Sequence, residues 1–171
     1  MRRLLNRMRR LRGDSSGVAA VEFALWSTMF FLVVSVAMDF GSFYLERGKM
    51  NEAVTAAAVS SFTTRDSVNF ASLPGYVKAI AEEPAITVAT LCNGTVNSCT
   101  NLNRTCSCLK NDGTYVANTC GSTCTGTGIT AGSTAGYYLT VRATQSFQPL
   151  IVPNGMLDNA SIVQQATVRL Q

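Results

Sequence analysis

The sequence of 171 residues contains no histidine. This absence removes the side chain that most often acts as an acid or base near neutral pH, and it excludes nucleophiles activated by histidine. Apart from Glu82 and Glu83, the acidic residues are scattered singly, so no carboxylate pair for acid–base chemistry is evident. The sequence therefore predicts a protein that is not an enzyme and needs no cofactor or bound metal.

Basic residues are scarce after the first twelve positions. Six of the fourteen Lys and Arg are arginines of that opening segment, and past Gly17 eight basic residues accompany nine acidic ones. A nucleic-acid-binding protein needs a basic face on its folded domain. We therefore assign the basic character to an N-terminal leader and expect no nucleic-acid partner.

Charge is almost absent from Val18 to Met38, where Glu22 is the one ionisable residue. As a helix this run extends about 31 Å at roughly 1.5 Å per residue, which matches the hydrocarbon core of a bilayer. The run is long for the apolar part of a secretory signal peptide, and no A-x-A site follows it. The arginines in front of it predict a single-pass membrane protein with a cytoplasmic N-terminus and an exported C-terminal part.

The helical pattern continues beyond the apolar run. Between Glu46 and Phe62, small and apolar residues recur at helical spacing: Met50, Ala53, Val54, Ala57, Ala58 and Ser61. This pattern predicts one helix over residues 18–62, with one half in lipid and the other half packed on an exported domain.

The exported part, residues 63–171, has strand patterns. Residues 86–91 are rich in β-branched side chains, and residues 137–147 and 160–170 alternate between apolar and polar. A short helical segment is predicted at residues 77–83, before Pro84. The predicted fold is α+β, with a long N-terminal helix packed on a small antiparallel sheet.

Six cysteines fall within 33 residues of the exported part, which has few large apolar side chains. An even number of cysteines in an oxidising compartment indicates disulfides, although fifteen connectivities are possible. A bond between Cys106 and Cys108 is the least favoured, because so short a ring is strained. A zinc site is the competing interpretation, but C-x2-C pairs are missing. We expect a disulfide-rich loop over residues 92–124, formed by Cys92, Cys99, Cys106, Cys108, Cys120 and Cys124.

The start of the apolar run carries a recognisable spacing. If the bond after Gly17 is cut, Val18 becomes the first residue of the mature chain and Glu22 the fifth. The segment up to Phe23 resembles the processing site of type IV pilins and pseudopilins. The wider stretch to Gly41 resembles the TadE-like pseudopilins of the Tad (tight adherence, type IVc, Flp) pilus system, through residues 21–25 and 39–41 in particular.

This resemblance implies a minor pseudopilin that primes or caps a pilus in the bacterial inner membrane. A prepilin peptidase would remove residues 1–17 by cutting between Gly17 and Val18, and Glu22 and Phe23 would set the register of assembly. The implied partners are the peptidase, another pseudopilin, the major pilin, the inner-membrane platform and membrane lipid. Physically, the new α-amino group of Val18 can pair with the Glu22 carboxylate of an adjacent subunit, offsetting the cost of placing both in lipid.

A different class of protein also fits the sequence. A membrane-anchored binding or adhesion protein would use the disulfide-rich loop to recognise a surface or ligand, and its apolar helix would serve only as an anchor. Such a protein would keep its arginine-rich N-terminus, whereas a pseudopilin would begin at Val18.

Overall fold

A computed structural model describes residues 16–149 and 160–171 of the chain. Most of the predicted leader, residues 1–15, lies outside the described residues. The first element is helix α1, Ser16–Thr63, whose 48 residues extend about 72 Å. A single long helix was predicted for residues 18–62, and the structure confirms it.

A short second helix, α2, spans Leu73–Ala81. It begins earlier than the predicted segment 77–83 because Pro74 lies in its first turn, where a missing N–H costs no helical hydrogen bond. It also ends earlier, because Glu82 adopts a left-handed conformation with φ of 55°. The predicted helix was therefore correct in kind and wrong in its bounds.

Six strands follow, and they form two antiparallel sheets. The larger sheet has the order β2-β1-β5-β6, and the smaller one pairs β3 with β4. The three predicted strands correspond to β1, β5 and β6 within one residue at each end, whereas β2, β3 and β4 were not predicted. The strands are β1 Thr87–Cys92, β2 Thr95–Val96, β3 Cys106–Leu109, β4 Tyr115–Asn118, β5 Tyr138–Ser146 and β6 Ser161–Arg169.

The main core lies between the larger sheet and the second half of α1. The central strand β5 pairs with β1 on one side and β6 on the other, with Val141 opposite both Thr90 and Ala166. The α1 residues predicted to face a domain are all buried, and on the sheet the buried side chains include Leu139, Val141, Ala143 and Ile162. The α+β architecture expected from the sequence, with a long N-terminal helix packed on a small antiparallel sheet, is confirmed.

The cysteine-rich region forms a small ordered unit attached to this core. Hairpin β3–β4 is its regular part, and isolated bridges connect it to residues 123–136. The Asn101 side chain bonds both backbone groups of Val68, and the Thr100 N–H donates to the Tyr137 hydroxyl at 2.8 Å. The Arg104 guanidinium lies 5.1 Å from the centre of the Tyr137 ring. These contacts fix the region against the end of α1 and the start of β5.

Candidate functional site

The first half of α1 is exposed along its length. The helix from Gly17 is long and apolar enough to cross a membrane, and its most apolar 18-residue window, with a mean hydropathy of 1.9, has no residue buried by the rest of the chain. Large side chains such as Phe23, Phe30 and Leu32 are at least 60% exposed. Burying such a surface in lipid or against other helices is favourable, so this half needs a cover that the described residues do not supply.

The predicted processing residues lie at the beginning of this exposed half. Gly17 is the second residue of α1, and a Cβ added to it would meet nothing within 4 Å. Val18 and Glu22 are four residues apart, so they lie one turn apart on the same side of the helix. Since Gly17 makes no packing contact that needs a glycine, a requirement for glycine there would come from a partner such as a peptidase.

The Glu22 carboxylate projects from the exposed helix. Among the described residues no hydrogen bond or ion pair to it is found, and the neighbouring Phe23 side chain is 75% exposed. A charged group at membrane depth costs roughly 2.5 to 3.5 kcal/mol on insertion scales, so it is usually paired or functional. The site thus combines a carboxylate that is unfavourable at membrane depth with an exposed helix surface that other molecules can contact.

A second carboxylate, Asp39, marks the other end of the apolar run. It lies 17 residues after Glu22, or about 26 Å along the helix axis, close to the thickness of the hydrocarbon core. Asp39 is only 2% exposed, although Met38 before it and Phe40 after it are exposed. Its burial was not predicted from the sequence. Its position as the first charge after the apolar run is visible in the sequence, but that position gives no sign of burial.

The folded domain, residues 63–171, meets α1 close to this second carboxylate. The Phe43 ring packs edge-on against Phe147, at the end of β5, with 5.2 Å between ring centres. Phe43 follows Asp39 by four residues, or about 6 Å along the axis. If Asp39 marks the membrane surface, the folded domain begins directly above it rather than on a long stalk.

One carboxylate next to this junction has a perturbed proton affinity. Burial raises the pKa of Glu46 above its ordinary value of 4.5, and the nearby Glu83 carboxylate raises it further, while Lys49 opposes both effects. The three side chains line a small cavity of about 150 Å³ between α1 and the end of α2. The pKa of Glu46 therefore depends on how α1 packs against the folded domain.

All six predicted cysteines form disulfides. The pairs are Cys92–Cys99, Cys106–Cys120 and Cys108–Cys124. The paired cysteines are 7 to 16 positions apart in the sequence, and the disfavoured Cys106–Cys108 pair is not formed. The disulfide prediction is confirmed, and the structure supplies the connectivity that the sequence left open. Each such bond typically adds about 2 to 4 kcal/mol of stability.

A groove separates hairpin β3–β4 from the outer face of the larger sheet. Its volume is about 390 Å³, and its lining combines polar uncharged side chains with Leu91, Leu109 and two glycines. The Tyr115 ring forms one wall, with its hydroxyl 3.3 Å from that of Thr140, and Lys110 is the one charged residue in the lining. The other lining side chains include Gln165 and Thr167 of β6. The groove is open to polar ligands but contains no pair of groups suited to catalysis.

Comparison with known families agrees with the position of this site. Residues 17–59 match the family model described as TadE-like protein. The match begins at Gly17 and ends within the second half of α1. It covers about a quarter of the chain. No curated protein and no solved structure matches the chain.

Proposed function

We propose that the chain, whose residues 17–59 match the TadE-like family model, is a minor pseudopilin of the Tad pilus system that primes or caps the pilus. A prepilin peptidase removes residues 1–17 by cutting after Gly17. Residues 18–62 remain as the membrane and extended helix, and residues 63–171 form the exported pilin-like domain. One observation carries the proposal: the matched helix exposes its whole apolar half, with a single carboxylate at the fifth position after the cut.

Cleavage gives Glu22 a partner. It creates an ammonium group at Val18, and this charge pairs with the Glu22 carboxylate of an adjacent subunit. Each charge offsets the cost of placing the other in lipid, so the pair favours one axial register between neighbouring helices. The absence of a partner for Glu22 within the described residues supports this role, because the carboxylate is not used by the chain's own fold.

The proposed orientation places the N-terminus in the cytoplasm and the exported domain in the periplasm or outside the cell. The N-terminal arginines support it through the positive-inside preference. The three disulfides support it independently, because such bonds persist in oxidising compartments. The proposed partners are the peptidase, another pseudopilin, the major pilin, the inner-membrane platform and membrane lipid. The proposed role is structural rather than enzymatic, and it involves no nucleic acid.

Replacing Glu22 with alanine tests the register pair. Because Glu22 is exposed and makes no contact with the rest of the described chain, Glu22→Ala should leave folding unchanged. It should also leave membrane insertion intact or improved, since it removes a charge from the apolar run. Pilus formation, counted by electron microscopy of intact cells, should fall strongly.

Glu52→Ala is the matched control. Glu52 is an exposed acid on the exported half of the same helix, and its removal should leave piliation unchanged. Equal piliation in Glu22→Ala and wild-type cells would rule out the proposed charge pair.

The groove beside Tyr115 favours a second candidate function, a membrane-anchored adhesion protein. Its volume of about 390 Å³ falls within the range of small-molecule sites, and it adjoins the disulfide-rich region. In that case the arginine-rich N-terminus stays attached. The same chain would then bind surfaces normally when Glu22 is replaced.

A further inference from the structure

The two edges of the larger sheet differ in how far other backbone groups cover them. The outer edge of β1 is largely closed, because Leu91 and Cys92 pair with β2 and the Asn97 N–H donates to the Thr90 carbonyl at 3.0 Å. An uncovered edge offers unpaired N–H and C=O groups to any extended chain, and proteins usually shield such edges. The β1 edge of the sheet is shielded in this way over most of its length.

The other edge is the outer side of β6. The Phe147 N–H donates to the Ala160 carbonyl, and the Leu170 N–H donates to the Tyr137 carbonyl, both at 2.8 Å. In an antiparallel ladder these bonds show that the even-numbered residues of β6 face β5. Five residues therefore direct their backbone N–H and C=O groups outward, and within residues 16–149 and 160–171 these groups have no partner: Ser161, Val163, Gln165, Thr167 and Arg169.

Strand β6 carries few of the usual protections. It pairs with β5 in an unbroken register of nine residues, and it contains no proline and no lysine. Its one charge, Arg169, is at the end of the strand, and the guanidinium donates to Thr134 and Ala135. Val163 and Thr167 are β-branched and exposed, as suits cross-strand contacts. The edge is thus long, uncharged over most of its length and continuous.

A second copy of the chain does not fit this edge. Antiparallel pairing of two β6 strands in one continuous sheet requires a two-fold axis perpendicular to the sheet. Helix α1 packs on the face of the sheet, so this axis would reverse the direction of one α1 relative to the other. Two copies anchored in one membrane with the same orientation cannot be related in this way. Pairing β6 with β1 of a neighbour fails too, because β2 and Asn97 close most of that edge.

We propose that an extended segment of a different exported subunit of the pilus machine adds to β6 as a fifth, antiparallel strand. This proposal rests on the proposed function for the identity of the partner. The incoming strand should be uncharged at its centre. Its inner side chains should be mostly apolar, because they continue the row formed by Ile162, Gln164, Ala166 and Val168, of which three are apolar. Its outer ones should be small or β-branched next to Val163 and Thr167.

Amide hydrogen exchange tests the proposal at the level of single residues. The complete chain is measured alone in detergent and within the machine isolated from membranes. The amides of Val163, Gln165 and Thr167 should exchange rapidly in the chain alone and slow by roughly tenfold or more in the machine. Equal exchange in both samples would overturn the proposal. Slow exchange already in the isolated chain would also overturn it, because the edge would then be occupied within the chain.

A proline at Gln165 provides the mutational test. It removes an outward N–H that the internal ladder does not use, so the fold should keep its three disulfides, while pairing across the edge is broken. We expect Gln165→Pro to lose at least about nine-tenths of co-purification with the machine, and Gln165→Ala to retain it. Retention by Gln165→Pro would contradict the proposal.

If Gln165→Pro fails to form its disulfides, the same comparison is made with Val163→Lys and Val163→Thr, where the lysine alone introduces an edge charge. The N-terminus is determined in every sample. A mature chain starting at Val18 with unchanged edge amides would reject the edge proposal alone, whereas an uncut N-terminus would reject the proposed function.

Discussion

The two halves of α1 belong to one continuous helix, yet they are covered in opposite ways. In the first half, large residues such as Phe23 and Phe30 are exposed on all sides. In the second half, small residues such as Ala53 and Ala57 are completely buried against the folded domain. Within residues 16–149 and 160–171, the more apolar half is therefore the one left uncovered.

This difference shows that hydropathy alone does not identify the core of the protein. Small side chains allow the helix to approach the sheet closely, and close packing contributes much of the stability of an interior. The large side chains of the first half have no such partner among the described residues and are suited to lipid and to other helices. The second half of α1 fixes the domain, and we propose that the first half serves membrane anchoring and assembly.

A charge placed in the buried half should give the largest effect. Ala57 is fully buried in the core between α1 and the sheet. Ala57→Asp buries an uncompensated carboxylate, which should destabilise the folded domain by about 3 to 5 kcal/mol. Thermal unfolding followed by circular dichroism measures this loss. Thr55→Asp, on the exposed side of the same turn, should change stability by less than about 0.5 kcal/mol. Similar losses in both variants would refute the assigned helix face.

Removing a disulfide should have a smaller and more local effect. Replacing Cys108 and Cys124 with alanine should cost about 2 to 4 kcal/mol and loosen hairpin β3–β4. The packing of α1 on the larger sheet should survive, because both cysteines, although buried in the core cluster, belong to neither α1 nor the larger sheet. Amide exchange in β5 and β6 distinguishes the two regions. Rapid exchange throughout β5 would mean that the disulfide supports the main core as well.

The pH dependence of stability should reveal the raised pKa of Glu46. Of the three predicted changes in stability, we expect this one to be the smallest. The pKa of Glu46 is raised in the folded state, so the folded state binds the proton more tightly than the unfolded state does. Stability should therefore decrease as the pH rises from 4.5 to the raised pKa. Glu46→Gln should abolish this decrease and be the more stable form above that range, by at most a few tenths of a kcal/mol because solvent screens the charge. Urea unfolding at pH 4 and pH 8 checks the sign. A Glu46→Gln variant less stable at pH 8 would contradict the assignment.

Much of the fold follows from patterns in the sequence. The helical spacing from Met50 to Ser61 identified the face of α1 that packs on the domain, and alternation identified β5 and β6. These signals are strong because each element has one apolar and one polar side. The predicted processing segment rests on the spacing of Gly17 and Glu22 and stays a prediction, and the family match begins at Gly17.

The cysteine-rich region was less predictable, for a physical reason. Strands β3 and β4 are four residues long, and β2 has only two, so no period can be read from them. Their positions depend on disulfides and on long-range bonds such as that between Asn101 and Val68. The burial of Asp39 also depends on tertiary contacts, which a local pattern does not report.

The central claim is that the chain is cut after Gly17 and keeps its apolar helix. Intact mass and N-terminal sequencing of the protein extracted from the membrane test this most directly, with a Gly17 substitution as the uncut reference, since that position tolerates a side chain sterically. The account predicts a mature chain that starts at Val18, and a heavier precursor when Gly17 is replaced. A wild-type chain that retains its arginines, or one that has lost the whole run from Val18 to Met38, would contradict it.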